Sequence, residues 1–220
     1  MQLNPIYYTA EHLAFADAVR KFTAQEITPF VNDWEENETF PRELYRKAAD
    51  VGLLGLGFPE AFGGIADTDA FHVLLAAIEL AQCGSGGILA SLLSHSIGAP
   101  PIKNAGSDEM KARVLPQILS GAKISALAIT EPGGGSDVAG LTTKAIRDGD
   151  DYLVSGEKIF ITSGMRADYY SVAVRTDPTA KRANGVSMLL IDGDTPGISK
   201  TALKKMGWWS SDTAQLHFDQ

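Results

Sequence analysis

The sequence predicts an α+β protein in which a helical part precedes a β part. Up to residue 119, apolar residues recur every three or four positions, a spacing that places them on one face of a helix. From residue 123 onward, short runs of β-branched and aromatic residues alternate with turn signals such as D-G-D-D and N-G. We therefore predict an N-terminal all-α helical domain over 1–122 and an antiparallel β-barrel or β-sandwich domain over 123–220.

Five helical segments are predicted in the first part. Thr9 can cap the first helix and Pro29 ends it, while Ser107 can cap the last. The fourth is interrupted by Gly98 and by the Pro100–Pro101 pair. The predicted helices cover residues 9–28, 41–51, 69–83, 88–102 and 107–119.

Seven strands are predicted in the second part, each bounded by turn signals. The alternation is clearest in D-Y-L-V-S-G-E-K-I-F-I-T, where no helical period fits. The predicted strands cover residues 124–130, 141–147, 151–162, 168–176, 185–192, 197–203 and 213–219.

Composition restricts the possible partners and compartments. The chain has 27 acidic and 19 basic residues, a net charge of −8, and no basic stripe, which argues against nucleic-acid binding. No run of apolar residues is long enough to span a membrane, and no secretory signal is visible at the N-terminus. The single cysteine, Cys83, cannot form an internal disulfide and fits a reducing compartment. We expect a cytoplasmic protein, or a mitochondrial matrix protein if the source is eukaryotic.

The stretch A-I-T-E-P-G-G-G-S-D-V-A-G, from Ala128 to Gly140, follows the first predicted strand. Three consecutive glycines allow a ligand to approach the backbone closely, and successive N–H groups in such a turn can cradle a phosphate. No lysine follows the glycines and no helix opens after them, so the loop matches neither a P-loop nor a dinucleotide fingerprint. A hairpin loop without a ligand is the alternative interpretation.

A second motif, K-I-F-I-T-S-G from Lys158 to Gly164, ends a predicted strand in a tight turn. Phe160 offers a flat face to a planar ring, and Thr162 offers both an N–H and a hydroxyl. Taken alone, an aromatic residue in this position is more often part of the core.

These motifs, in this order, resemble the acyl-CoA dehydrogenase family of flavoproteins. The glycine loop at Ala128–Gly140 and the segment Lys158–Gly164 both match signatures of that family. Two more matches are F-P-R-E-L-Y-R-K-A-A-D-V-G-L-L-G-L-G-F-P-E-A-F-G-G, Phe40–Gly64, and the final M-G-W-W-S-S-D-T-A-Q-L-H-F-D. The resemblance covers the whole chain, which corresponds to the family's N-terminal and middle domains and lacks its C-terminal helical bundle.

The resemblance implies FAD as the cofactor and no metal. It places Thr162 near flavin N5 and the aromatic residue, Phe160 here and commonly tryptophan in the family, on the ring face opposite the substrate. Gly135 and Ser136 would face the phosphates. The residues implied in FAD binding are Leu127, Ala128, Ile129, Thr130, Gly135, Ser136, Phe160, Ile161 and Thr162.

The resemblance also implies how substrate binds. Ser136 would touch the CoA portion, and Leu93, Ser94 and Ile97 would lie near the acyl tail. The catalytic glutamate of the family lies in its C-terminal part, so no catalytic residue is assigned within this chain. Glu131, between Thr130 and Pro132, is interpreted as a structural carboxylate and not as the base.

The implied function is FAD-dependent α,β-desaturation of an acyl-CoA in fatty acid metabolism, with electrons passed to an electron-transfer flavoprotein. A homo-oligomer, dimer or tetramer, is expected. Two alternatives stay open: a related flavin oxidase or monooxygenase, and a binding partner without activity if the chain ends naturally at residue 220.

Two smaller features also have two interpretations each. His95, in the fourth predicted helix, is read as a core or interface histidine in preference to a ligand or base. Arg175, Lys181 and Arg182 form either a solvated charge cluster or a contact to the nucleotide end of CoA.

Overall fold

The computed structural model describes residues 6–219 and confirms the predicted α+β order of elements. The helices are α1 Ala10–Phe22, α2 Val31–Glu36, α3 Glu43–Asp50, α4 Ala70–Ala81, α5 Gly86–Leu92, α6 His95–Gly98, α7 Pro100–Ala105 and α8 Asp108–Leu119. The strands are β1 Ser125–Ala128, β2 Lys144–Asp148, β3 Asp151–Thr162, β4 Tyr169–Arg175, β5 Val186–Asp192, β6 Ile198–Ala202 and β7 Thr213–Asp219. No helix among residues 6–219 has the length and apolar character needed to cross a membrane.

The helices begin where the capping residues predict. Thr9 accepts a hydrogen bond from the N–H of His12, and Ser107 accepts one from the N–H of Met110. The first helix is shorter than predicted because α1 passes into a π-turn, Thr23–Ile27, and then into a 3₁₀ turn that contains Pro29. The segment predicted as one interrupted helix over 88–102 forms three short helices, α5, α6 and α7.

Close packing explains the break after α6. A Cβ on Gly98 would lie only 2.9 Å from the Ser125 hydroxyl and 3.0 Å from the backbone of Ala126. The helix therefore contacts β1 directly at a glycine, and α7 then begins at Pro100, which has no N–H to continue the previous helix.

The seven strands form one curled sheet in the order β1-β4-β2-β3-β7-β6, with β5 also paired to β4. The predicted antiparallel arrangement holds for β2–β3, β3–β7, β6–β7 and β4–β5, but β1 and β2 both pair with β4 in parallel. The sheet is therefore mixed. Pairing direction depends on how distant segments cross the fold, which a local alternation pattern does not encode.

Strands β1 and β2 lie end to end along the same edge of β4. Ala128 pairs with Val172, whereas Lys144 pairs with Arg175. The N–H of Arg175 also donates to the carbonyl of Thr143 at 2.7 Å. The glycine loop is thus an excursion of the chain that leaves the sheet after β1 and returns to the same edge at β2.

One large core joins the helices to the sheet. Leu92 on α5, Tyr170 on β4 and Leu216 on β7 belong to a single cluster of buried residues, and the first six residues of β4 are all buried. Because β4 is covered on both faces, it fixes the position of the edge from which the glycine loop departs. The change from helix to strand falls between Leu119 and Ser125, and the division into domains 1–122 and 123–220 stays a prediction.

His95, the first residue of α6, is 6% exposed, and its Nδ1 has no hydrogen-bond partner within the described part of the chain. Burial lowers the pKa of His95 from 6.5 to about 4, against the opposing effect of backbone groups of Leu92 and Leu54. This agrees with the interpretation as a core histidine that stays neutral at pH 7.

A pH-dependent loss of stability follows from His95. Its folded-state pKa lies below its unfolded-state pKa, so the unfolded chain binds a proton first as pH falls from 6.5 towards 4. We expect this residue to remove about 2 kcal/mol from the free energy of unfolding between pH 7 and pH 5. Urea unfolding at both pH values should show a flatter dependence in His95→Gln than in the wild type or in the exposed His217→Gln control. Parallel pH dependences in all three proteins would contradict the assignment.

Candidate functional site

The glycine loop is exposed and folded on itself. Glu131 and Gly134 exchange backbone hydrogen bonds of 3.0 Å each, which closes a tight turn around Pro132 and Gly133. A Cβ placed on Gly133 or Gly134 would meet no described atom within 4 Å, whereas one on Gly135 would approach the Thr130 methyl group at 3.2 Å. The loop therefore turns back over Thr130 and presents glycine backbone outward, an arrangement that lets a ligand approach closely.

A buried ion pair closes the base of this loop. Glu131 accepts hydrogen bonds from the N–H of Thr142 at 2.6 Å, the hydroxyl of Thr142 at 2.8 Å and the N–H of Thr143 at 2.8 Å. The Nζ of Lys158, whose side chain is fully buried, lies 2.9 Å from Glu131 Oε1 and donates to the carbonyl of Ile129 at 2.9 Å. The two ends of the loop and strand β3 thus meet at one carboxylate.

The hydrogen bonds to Glu131 determine its protonation. Burial by itself would raise the pKa of Glu131, but hydrogen bonds from Thr143, Lys158 and Thr142 outweigh it and lower the pKa to about 2. Burial lowers the pKa of Lys158, and the adjacent Glu131 opposes that shift. A carboxylate with so low a pKa is a weak proton acceptor at neutral pH, which agrees with a structural role for Glu131.

The second motif lies directly beside the loop. The N–H of Ile159 donates to the carbonyl of Thr130 at 2.8 Å, so β3 is hydrogen-bonded to the segment that leads into the glycines. The pairing of β3 with β7 shifts register between Lys158 and Ile161. At this bulge Phe160 has a φ of +61°, a rare conformation for an aromatic residue.

The bulge turns Phe160 outward. Its side chain is 67% exposed, while Ile161 is 2% exposed and faces the core. The interpretation of Phe160 as an ordinary core residue is therefore wrong. A strained backbone that exposes a large aromatic ring next to a glycine loop is typical of a ligand site.

The remaining positions assigned to FAD fall into two groups. Ala128 and Ile161 are buried, so they can contribute only backbone groups or packing to a site. The others are partly or fully exposed along β1, the loop and the end of β3: Leu127, Ile129, Thr130, Gly135, Ser136, Phe160 and Thr162. Their part in FAD binding stays a prediction.

The residues assigned to the acyl tail do not share one surface. Ser94 is 2% exposed and its hydroxyl donates to the carbonyl of Ser125 at 3.0 Å, so it supports β1. Leu93 packs against the core, and Ile97 is 49% exposed on α6. A larger side chain at Ser94 would displace β1, and Ile97 is therefore the better position at which to examine chain length.

Arg175 holds the far end of the loop. Its guanidinium donates to the carbonyls of Ala139 at 2.6 Å, Leu141 at 3.1 Å and Arg182 at 3.3 Å. Because its guanidinium is bonded to three backbone carbonyls, Arg175 is not a solvated charge and is not free to bind a ligand. Lys181 and Arg182 are exposed, as a solvated charge cluster would be.

The sequence analysis assigned no role to Lys158, Thr142 or Thr143, and it did not identify Arg175 as a residue that holds the loop. A signal was present for Lys158: it occupies a position in the strand alternation that faces inward, and a buried lysine requires an acidic partner. Glu131 is the acidic residue of the neighbouring motif. For the two threonines and Arg175, which act through loop backbone, no sequence signal existed.

Comparison with known proteins agrees with this arrangement. Residues 9–122 match the acyl-CoA dehydrogenase N-terminal domain family, and residues 126–220 match the acyl-CoA dehydrogenase middle domain family. The long-chain specific acyl-CoA dehydrogenase of pig mitochondria is 38% identical over 214 residues, which are 96% of this chain and 49% of that protein. The chain belongs to the acyl-CoA dehydrogenase family, and it spans about half the length of the curated relatives it matches.

Solved structures show the same fold. An acyl-CoA dehydrogenase from Geobacillus kaustophilus is 39% identical, with a TM-score of 0.90 over 97% of this chain and 56% of its own. One from Bacillus anthracis, determined in complex with FAD, is 30% identical, with a TM-score of 0.86 over 99% of this chain and 37% of its own.

A double-mutant cycle tests the ion pair at the base of the loop. Glu131→Gln leaves the Lys158 ammonium buried without a carboxylate, and we expect it to cost about 3–5 kcal/mol of unfolding free energy. Adding Lys158→Met removes that orphaned charge, so the double variant should be more stable than Glu131→Gln alone. The exposed pair of Arg113 and Asp192 provides the control, because Asp192→Asn should cost less than about 1 kcal/mol. Additive effects of the two substitutions in denaturant unfolding would contradict a coupled pair.

Proposed function

We propose that the full-length protein is an FAD-dependent acyl-CoA dehydrogenase that introduces an α,β double bond into an acyl-CoA thioester. The observation that carries the proposal is the pairing of an outward-facing Phe160 with an open glycine loop across the Ile159–Thr130 hydrogen bond. Family membership supports the class of reaction, and the relative in complex with FAD supports the cofactor.

The residues present fit a bound flavin. The exposed ring of Phe160 would stack on one face of the planar flavin, and the strained φ at this residue fixes the direction of the ring. Backbone groups from Leu127 to Thr130, with the Thr130 hydroxyl, would bond the edge of the ring. Thr162, two residues after Phe160, would contact it through its N–H and hydroxyl. When bound, FAD supplies the ring that accepts a hydride from the β-carbon of the substrate.

The glycine loop would hold the phosphates. Its outward backbone at Gly133 and Gly134 leaves space for anionic groups, and Gly135 and Ser136 stand at its far side. The opposite charges of Glu131 and Lys158 lie 2.9 Å apart and offset each other, so no net negative charge at the base of the loop repels a phosphate. Ser136 would in addition contact the CoA portion of the substrate.

The base that removes the α-proton is proposed to lie outside this chain. Glu131 stands beside the loop, but four hydrogen bonds occupy its carboxylate and its pKa is about 2. This chain would thus orient FAD and form part of the acyl pocket, in which Leu93 and Ile97 would lie nearest the acyl tail. Proton abstraction would be carried out by another segment. We further propose that an electron-transfer flavoprotein accepts the electrons and that the protein acts in fatty acid metabolism. It would assemble as a dimer or tetramer and work in a reducing compartment.

Retention of FAD tests the site. In the full-length protein, Phe160→Ala with Thr162→Ala removes the stacking ring and a hydrogen-bonding hydroxyl, and we expect the dissociation constant for FAD to rise about 10–100-fold. Phe160→Trp should retain FAD at least as well as the wild type. Tyr152→Ala, which removes an exposed aromatic ring from the opposite end of β3, is the control. Unchanged fluorescence titrations of FAD in the double variant would exclude this site.

Anaerobic single-turnover reduction by acyl-CoA tests the proposed absence of a base at residue 131. Glu131→Gln with Lys158→Met avoids a lone buried charge, and once saturated with FAD it should reduce its flavin within about tenfold of the wild-type rate. Loss of a true base slows the step by about 10²–10⁴-fold. A fully flavinated variant that stalls at this step would make Glu131 the base, even if the FAD titrations above support the binding site.

A further inference from the structure

Two histidines and an aspartate converge where α1 and α4 begin, in a part of the helical region that the proposed flavin site does not use. His12 is the third residue of α1 and His72 the third residue of α4. His12 Nε2 and His72 Nδ1 each lie 3.0 Å from the same oxygen, Asp69 Oδ1. One ligand atom from each of the three side chains lies within 4.8 Å of the other two.

Asp69 Oδ1 already has two backbone donors. As the N-cap of α4, it accepts from the N–H of Phe71 at 2.9 Å and from the N–H of His72 at 3.2 Å. A carboxylate has about four lone-pair sites over its two oxygens, and capping uses two of them. The approach of two imidazole nitrogens to the same atom is therefore more than capping requires.

The ring nitrogens that face Asp69 can each present a lone pair to a cation. His12 Nδ1 lies 3.2 Å from the hydroxyl of Thr9, and the tautomer that donates to this hydroxyl leaves the lone pair of Nε2 facing Asp69. His72 Nδ1 faces the N–H of Asp69 at 3.3 Å, and the tautomer that accepts this N–H leaves a lone pair on Nδ1. In that capping arrangement His72 Nδ1 has a lone pair, as does the oxygen 3.0 Å away. A proton on His72 Nδ1, which would donate to the oxygen, or a metal ion bound by both atoms relieves the repulsion between these lone pairs.

We propose that His12, Asp69 and His72 form a zinc site that joins the first turns of α1 and α4. Two imidazoles and a carboxylate are ligands that Zn²⁺ prefers, and tetrahedral ligands at its usual bond lengths stand about 3.3 Å apart. The two observed separations of 3.0 Å are close to that value. Zinc at His72 Nδ1 replaces the long hydrogen bond from the Asp69 N–H.

The surroundings suit an ion that enters from solvent. The imidazoles are buried, with side chains 6% and 9% exposed, whereas the Asp69 side chain is 52% exposed. The two imidazole rings are 4.3 Å apart between centroids, and Phe15 lies 5.7 Å from the ring of His72. Aromatic walls on one side and water on the other leave a fourth coordination position open to solvent.

Charge sets the expected affinity. The positive ends of α1 and α4 both point towards the site and oppose a cation, while Asp69 contributes one negative charge. With three protein ligands and this opposition, we expect micromolar rather than nanomolar binding of Zn²⁺. The site would act by fastening α1 to α4.

The test uses the full-length protein without a histidine tag, titrated with Zn²⁺ by calorimetry and with Co²⁺ by visible absorption. We expect one equivalent of either metal, the intense d–d bands of tetrahedral cobalt, and displacement of Co²⁺ by Zn²⁺. Saturating Zn²⁺ should raise the melting temperature by about 5 °C. None of these measurements depends on flavin or activity, so they stand apart from the proposed function.

Matched variants locate the metal. His12→Gln and His72→Gln each place a glutamine at the third helical position. Glutamine is a usual partner in a capping box, so both helices keep their caps. We expect each to lose the cobalt bands and weaken Zn²⁺ binding at least about tenfold, while His217→Gln, a change at an exposed histidine, binds as the wild type does. Absence of one-equivalent binding in the wild type, or equal binding in all three variants, would overturn the proposal. If a Gln variant has a much lower melting temperature than the wild type in the absence of metal, its cobalt spectrum is recorded below that melting temperature, where the variant is still folded.

Discussion

The site depends on one buried ion pair, that of Glu131 with Lys158. The chain leaves the β4 edge after β1, makes a loop of more than ten residues, and returns to the same edge at Thr143. A glycine-rich excursion of this kind has a high conformational entropy. Glu131, at the first end of the loop, opposes that entropy by accepting hydrogen bonds from the backbone of Thr142 and Thr143 at the other end, and Lys158 fixes the carboxylate to β3. The glycines outside this closed base remain free to face a ligand.

The same lysine connects the loop to the exposed aromatic ring. Lys158 is held at the buried end of its side chain by Glu131 and by the carbonyl of Ile129, and Phe160 follows two residues later at the bulge. Because Lys158 cannot shift along the strand without losing both partners, the register of β3 beside the loop is fixed. The unusual φ at Phe160 is then imposed by the fold, and the ring is directed before any ligand arrives.

Much of this architecture was readable from the sequence, and the exceptions have physical causes. All seven strands were placed within a few residues, because β-branched runs between glycine and aspartate turns are local signals. Thr9 and Ser107 were correctly predicted as helix caps because a capping residue is also a local signal. The parallel pairing of β1 and β2 with β4 was not predicted, since it depends on contacts between residues more than thirty positions apart.

In the candidate site too, local features were predictable from the sequence and features set by distant contacts were not. Its two motifs were recognised from their residues, but the outward direction of Phe160 arises from a bulge that the alternation pattern conceals. The burial of Lys158 likewise depends on the distant Glu131.

Hydrogen–deuterium exchange at the loop, with and without FAD, tests the central claim most directly. If the ion pair builds the loop base in advance, the amides of Thr142 and Thr143 exchange slowly in the flavin-free protein, and FAD adds protection only at Gly135 and Ser136. The account is contradicted if Thr142 and Thr143 exchange as fast as an unstructured chain until FAD binds, because flavin and not the ion pair would then organise the loop.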